Sequence, residues 1–165
     1  MTTTLEDLAV KLNVLLQHEH LKIATAESCT GGWVAKLLTD IAGSSASFER
    51  GFVTYSNEAK IEMLGVSLAT LEQFGAVSSE TVEEMAKGAI NASHADIALA
   101  ISGIAGPGGG SAEKAVGTVC FAWVFRNNDS HTETRHFEGD RDDVRRQSAQ
   151  HALEVAIKLI QAHHY

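Results

Sequence analysis

The sequence predicts an α/β fold around a sheet that is partly parallel and partly antiparallel. Three observations carry this expectation. Short apolar stretches of strand length alternate with amphipathic helical stretches along most of the chain. Late in the chain two strand-like stretches, Val116 to Phe125 and His131 to Phe137, follow one another across a polar turn with no helix between them. The composition, 44% hydrophobic with a single proline in 165 residues, describes one compact domain over residues 1–165. Alternation favours parallel pairing through crossovers, and the late hairpin adds antiparallel strands.

The elements follow in order. Leu5, Leu8, Ala9, Leu12, Leu15 and Leu16 recur at helical spacing and predict a first helix. Lys22 to Ala26 is short and apolar enough for a buried strand, and Thr30 to Ile41 reads as a second helix closed near Gly43. "GSSASFERGFVTYSNEAK" then gives a small-residue loop, a strand from about Gly51 to Tyr55 and a helix from about Asn57. Leu68 to Phe74 is a short helix stopped by Gly75. Ser78 is a good N-cap for the next one, with Glu80, Glu83 and Glu84 favourably placed in its first turns. Ile97 to Ser102 is a small-residue strand that runs into "SGIAGPGGGSAEK", a loop with five glycines and the only proline. After the hairpin, Asp140 caps a long last helix. The closing His163–His164 pair reads as a frayed helix end.

The charge balance, 13 Lys and Arg against 21 Asp and Glu, gives −8. That excludes general nucleic-acid or anionic-membrane binding, which needs clustered basic surface, but not a small anion held locally. The longest apolar run, Val116 to Phe125, is ten residues and too short to span a bilayer. The N-terminus carries acids early and shows no export signal. Cys29 and Cys120 make neither a disulfide framework nor a metal-ligand spacing, so no metal is expected and the cytoplasm is the expected compartment.

Three stretches hold candidate chemistry: "AESCTGG", "YSNEAK" and "SGIAGPGGG". Ser28 stands where a strand gives way to a helix, so N–H groups of Thr30, Gly31 and Gly32 are expected to be free. A serine beside such donors has a nucleophilic oxygen and the start of an oxyanion hole. The plainer reading is that Ser28 or Thr30 simply caps the helix. A serine also needs a base. None of the eight histidines falls near a small-residue motif. Lys60 is the other option: a buried ammonium loses hydration, its pKa falls, and the neutral amine becomes available. Tyr55 lies in the same segment and can relay or orient a proton. The plainer reading of Lys60 is an exposed helix lysine. The glycine-rich loop matches neither phosphate fingerprint. Arg141, Arg145 and Arg146 are placed to reach a phosphate, or to pair with Asp142 or Asp143 on the helix surface.

Taken together, "TAESCTGG", "AGSSASFERGFVTYSNEAK", "GAVS", "SGIAGPGGG" with "KAVGTV", and "F-x-GDRDDVRRQ" occur in the order and spacing of a known family. From about Leu5 to the final helix the chain resembles the CinA C-terminal-domain family, in particular its stand-alone nicotinamide-nucleotide amidohydrolases. The resemblance implies a three-layer α/β/α sandwich and a homodimer. It implies hydrolysis of the carboxamide of nicotinamide mononucleotide to nicotinic acid mononucleotide and ammonia, in pyridine-nucleotide salvage, by a serine and lysine mechanism without metal or cofactor. Ser28, Ser45, Tyr55 and Lys60 match the family's polar active-site positions, Ser102 falls in its second loop and Arg141 in its "GDR" segment. Where Ser102 stands some members carry threonine, which keeps the hydroxyl. Many members also carry a large N-terminal domain that this sequence lacks, so functions of that domain are not expected here.

On that basis Lys60 is the expected base, with Tyr55 shuttling or orienting the proton. Ser28 is the first choice of nucleophile and Ser45 its rival. The phosphate is expected on N–H groups of Thr30, Gly31 and Gly32, or of the loop from Ser102 through Gly103 to Gly106, with Arg141 as counter-charge. Glu27 either orients Lys60 or faces solvent. The competing readings are a binding module for a pyridine nucleotide or ADP-ribose without turnover, another amidase on the same scaffold, and an interaction protein.

Overall fold

The structure, a computed structural model, describes residues 3–163; His164 of the closing pair lies outside them. The elements run α1 (Leu5–His18), β1 (Ile23–Glu27), α2 (Trp33–Thr39), β2 (Phe48–Val53), α3 (Asn57–Leu64), α4 (Leu68–Phe74), α5 (Ser79–Asn91), β3 (Ile97–Gly103), β4 (Thr118–Phe125), β5 (Ser130–His136) and α6 (Arg141–Ala162). The five strands form one sheet in the order β2-β1-β3-β4-β5. The first three are parallel and the last two antiparallel, so the mixed sheet expected from the sequence is present.

Alternation along the strands divides the core into two layers. Ile23, Ile97, Leu99, Ile101, Phe121 and Trp123 face α1, α2 and α6, meeting Leu8, Leu12, Leu16, Val34, Leu38, Leu153 and Ala156. Trp123 is fully buried there, and its Nε1 donates to Ala152 O at 3.1 Å. The opposite face is lined by Ala24, Ala26, Ala98, Ala100 and Ala122, and α5 covers it with Val82, Met85, Ala86 and Ala89. The second layer is completed by Leu64 at the end of α3 and Leu71 of α4. This is the three-layer α/β/α sandwich.

Three helix starts are set by side-chain caps, of which Ser78 and Asp140 were legible in the sequence and Ser56 was not. Ser56 caps α3 through Ala59 N, Ser78 caps α5 through Thr81 N, and Asp140 with Asp143 forms a capping box on α6. The second helix is shorter than expected. Gly31 and Gly32 adopt φ of +59° and +99°, so residues 28–32 form a turn and α2 begins only at Trp33. The second strand begins earlier than expected, at Phe48, because Phe48 to Val53 pairs along β1.

Register positions the site. Glu27, the last residue of β1, lies opposite Val53 of β2 and Ile101 of β3. The chain therefore leaves three parallel strands side by side at Ser28, Thr54 and Ser102. Hydrogen bonds from Ser28 N to Ile101 O and from Thr54 N to Glu27 O, both 2.9 Å, hold them together. Ligands of open α/β sheets gather at this carboxyl end of the strands.

Candidate active site

A cavity of about 280 Å³ opens at that end, lined by Ser28, Cys29, Tyr55, Lys60, Ser102 and Arg141, with Gly103 to Gly106 and Ala76–Val77 forming its walls. Lys60 comes from the first turn of α3, one residue after the Ala59 amide that Ser56 caps. α3 can lie so close to α5, which covers the sheet, because Gly88 on α5 faces its C-terminal turn: a Cβ at Gly88 would collide with the carbonyl of Leu64. Helix packing thus drives the lysine inward, and only 1% of Lys60 is exposed.

The Lys60 amine has three neighbours. Ser28 Oγ and the Thr54 carbonyl are each 3.1 Å away, and the Tyr55 carbonyl is at 3.5 Å. Burial lowers the pKa of Lys60 from its ordinary value, because the charged form loses hydration, and a weak contribution from Cys29 works the other way. Among the described residues no carboxylate touches the amine. A neutral amine has two N–H donors and one lone pair. With the donors on the two carbonyls, the lone pair is left for the Ser28 hydroxyl proton. The arrangement can remove a proton from Ser28 without help from histidine.

Cys29 adjoins Ser28 but is not a rival nucleophile. Burial pushes its thiol up to about 12, the own-residue N–H pulling the other way, so a thiolate is suppressed. Ser102 is 2% exposed and its hydroxyl makes no hydrogen bond among the described residues, leaving it open to the cavity. At the mouth, Arg141 donates through Nη1 to Gly106 O at 2.9 Å and through Nη2 to Tyr55 Oη at 3.0 Å. Tyr55 therefore offers its carbonyl to Lys60 and its phenol to Arg141, and 63% of the residue is exposed.

Several candidate residues lie elsewhere. Ser45 sits in a 3₁₀ turn, Ser44–Ala46, just before β2, exposed. Because β1 and β2 are parallel and Ile23 pairs with Phe48, this turn is at the opposite end of the sheet, a strand of roughly 16 Å away from Ser28. Glu27 neither faces solvent nor reaches Lys60. It is fully buried and accepts from Thr30 Oγ1 at 2.6 Å, Val34 N at 2.9 Å and Ala35 N at 3.0 Å. Its carboxylate fills the amino end of α2, where a phosphate was expected. Thr30 is fully buried, Gly31 N is taken by Ser28 O, and none of Thr30, Gly31 and Gly32 lines the cavity.

Sequence reasoning missed the Thr54 carbonyl, since a backbone acceptor leaves no residue signature. It also missed the contact of Arg145 with the turn that carries Ser28. The signal for that was present: Arg141 and Arg145 are four apart on α6 and share a face, whereas Arg146 points away and pairs with Asp142. Among the described residues there is no group of three or more His, Cys, Asp or Glu side chains able to hold a metal ion, and no helix is long and apolar enough to cross a membrane.

Known proteins are similar to this chain over nearly its full length. Nicotinamide-nucleotide amidohydrolase PncC of Escherichia coli K12 is 57% identical over 151 residues, 92% of each chain. The protein of that name from Pseudomonas putida is 49% identical over 157 residues, 92% of this chain and 94% of the other. Among solved structures, a competence/damage inducible protein from Agrobacterium tumefaciens superposes with a TM-score of 0.91 at 47% identity, covering 96% of this chain and 99% of that one. Competence damage-inducible protein A of Klebsiella pneumoniae gives 0.94 at 38% identity, covering 98% and 99%. Residues 5–160 match the family described as the CinA C-terminal domain, a span that holds every element from α1 to most of α6, and the chain belongs to that family.

Proposed function

We propose that this protein hydrolyses the carboxamide of nicotinamide mononucleotide, giving nicotinic acid mononucleotide and ammonia, with Ser28 as nucleophile and Lys60 as base, in pyridine-nucleotide salvage. The observation that carries the mechanism is the Lys60 amine, 1% exposed and 3.1 Å from Ser28 Oγ. The substrate comes from the relatives at 49–57% identity, which are named for that amide hydrolysis.

Neutral Lys60 takes the hydroxyl proton as Ser28 Oγ bonds to the carboxamide carbon. The resulting oxyanion is held by the Cys29 N–H, the donor next to the nucleophile. Lys60 then gives its proton to the departing nitrogen, the C–N bond breaks, and ammonia leaves an ester on Ser28. A water molecule attacks that ester, Lys60 taking its proton and returning it to Ser28 Oγ as the acid departs. One water is consumed and one ammonia released, so the lysine ends as it began. Ser102 supplies a hydroxyl to the carboxamide. A cavity of about 280 Å³ suits a pyridine ring with the rest of the nucleotide leading outward. We place the phosphate at the mouth, against Arg141, Tyr55 and the Gly103 to Gly106 loop, and not at the α2 end that Glu27 fills.

The family resemblance also supports a homodimer acting in the cytoplasm. β2 is an edge strand with unpaired backbone groups and an exposed Val53, on which a second copy can add; sedimentation at micromolar concentration reads out the dimer. The activity is tested by incubating the protein with nicotinamide mononucleotide and measuring ammonia. Release that disappears in Lys60→Ala is expected. Binding without ammonia release would favour the non-catalytic nucleotide-binding reading instead.

A further inference from the structure

The turn that carries Ser28 is gripped from the far side by a residue that the proposed chemistry does not use. Arg145 lies one helical turn after Arg141 and is half-buried. Its Nε donates to Cys29 O at 2.9 Å and its Nη2 to Thr30 O at 3.3 Å. The guanidinium carbon lies 5.7 Å from the centroid of the Trp33 ring, so its position is fixed by a stacking surface as well as by hydrogen bonds. A Cβ on Gly31 would come within 3.3 Å of Nη2, so the guanidinium occupies the hollow beside the turn.

In a trans peptide the C=O and N–H point in opposite directions. With the Cys29 carbonyl drawn to Arg145, the Thr30 N–H is turned away from it. The Ser28 carbonyl accepts from Gly31 N at 3.1 Å, which turns the Cys29 N–H away from the body of the turn. Neither the Cys29 nor the Thr30 N–H has an acceptor on another described residue, and the Cys29 N–H meets only its own thiol. Glu27 fixes the other side by taking the Val34 and Ala35 donors. The turn is thus held between a carboxylate, on the Thr30 hydroxyl and the first N–H groups of α2, and a guanidinium on the Cys29 and Thr30 carbonyls. Without Arg145, the Cys29 carbonyl loses its partner, the peptide plane after Cys29 is freer to rotate, and the Gly31 N–H that holds the Ser28 carbonyl is less firmly placed.

We propose that Arg145 is a positioning residue: it fixes the peptide planes of residues 28–31 so that Ser28 Oγ stays against Lys60 and the Cys29 N–H stays aimed at the developing oxyanion. The proposal rests on the amidase reading for its substrate, but its effect on Ser28 is measurable without that substrate. Arg146 is the internal control. Its guanidinium carbon lies 5.6 Å from the same ring, yet its hydrogen bond goes to Asp142 at 2.8 Å, away from the turn.

The experiment compares Arg145→Ala, Arg145→Lys and Arg146→Ala for kcat and KM with nicotinamide mononucleotide, and for the rate of Ser28 acylation by p-nitrophenyl acetate followed by intact mass. For Arg145→Ala, kcat and the acylation rate are expected to fall together, on the order of 100-fold, as for a nucleophile and oxyanion donor displaced by about 1 Å. KM stays within about threefold, and added ethylguanidinium restores part of the rate. Arg145→Lys retains a charge but not the two-pronged grip, and loses about tenfold. Arg146→Ala stays within about twofold of the parent. If Arg145→Ala does not fold, Arg145→Lys alone decides, since full activity in it overturns the proposal. So does an Arg145→Ala protein whose KM rises while kcat holds, the mark of a direct ligand contact, or one as active as Arg146→Ala. If the parent acylates at Ser28 but releases no ammonia from the nucleotide, the substrate assignment falls, and the acylation rates still decide the role of Arg145.

Discussion

Replacing Lys60 by methionine separates what the amine does from what its stem does. The stem is 1% exposed and packed between α3 and the sheet, and methionine fills nearly the same volume. What is lost is the amine with its contacts to Ser28 Oγ, Thr54 O and Tyr55 O. Removing a general base costs on the order of 10²–10⁴ in kcat, about 2.7–5.4 kcal/mol of barrier. On stability two effects oppose. Leaving the Thr54 carbonyl without a donor costs about 1–3 kcal/mol. Against this, the variant no longer buries an amine whose protonated form is disfavoured.

That second effect has a definite pH dependence. Burial sets the folded-state pKa of Lys60 below the ordinary 10.5 that the unfolded chain shows. Between those two values the unfolded state binds more protons than the folded one, so the stability of the parent rises with pH through this window. Below the folded-state pKa the penalty is complete and constant, and above 10.5 it is gone. Methionine has nothing to titrate. Relative to the parent, Lys60→Met is therefore most favoured at low pH and least favoured above 10.5. Urea unfolding of both proteins across this range, with ammonia release measured in parallel, checks both halves. Activity within tenfold of the parent, or a stability difference that is flat or slopes the other way, would refute the reasoning. Lys60→Arg sharpens it: arginine keeps the positive charge but does not give up its proton, so it is expected to be as inactive as methionine.

Further outcomes follow from the same geometry. Ser28→Ala is expected to lose on the order of 10³-fold or more in kcat, whereas Ser45→Ala, altered at the far end of the sheet, keeps the parent rate in the same ammonia assay. Glu27→Ala strands the buried Val34 N–H, the half-buried Ala35 N–H and the Thr30 hydroxyl, and costs about 3 kcal/mol in urea unfolding. Gly88→Ala gains about 1 kcal/mol of helix propensity but drives a methyl into the Leu64 carbonyl. Its net destabilisation is expected to be about 2 kcal/mol, with a fall in kcat because α3 carries Lys60 away from Ser28.

Much of the fold was legible because local signals agreed with the tertiary result. Leu68–Phe74 formed a helix stopped by Gly75 as expected, Ser78 and Asp140 capped the helices they announced, and the late strand pair formed its antiparallel hairpin. Boundaries failed where tertiary pairing overrode local pattern. "FERG" carries charges and a glycine and does not look like a strand, yet β1 pairs with it from Phe48 onward. In the site, Ser28 and Lys60 come together through the parallel register of β1, β2 and β3 and through the close approach of α3 at Gly88, neither of which sequence spacing encodes. The same register carries Ser45 to the opposite end of the strands. Glu27 was misread for a related reason. A carboxylate at a strand end usually faces water, and only the positive-φ glycines that fold the turn back over it create the buried helix end that it fills.

A covalent bond between substrate and Ser28 Oγ is the central step of the proposed chemistry. Acid quenching of the enzyme during turnover of nicotinamide mononucleotide, followed by peptide mapping by mass spectrometry, reads that bond directly. The expected result is a nicotinic acid mononucleotide ester on the peptide bearing Ser28, absent from Ser28→Ala and from Lys60→Met. An ester on Ser45 or Ser102, or ammonia release at the parent rate with no ester on any serine, would contradict it.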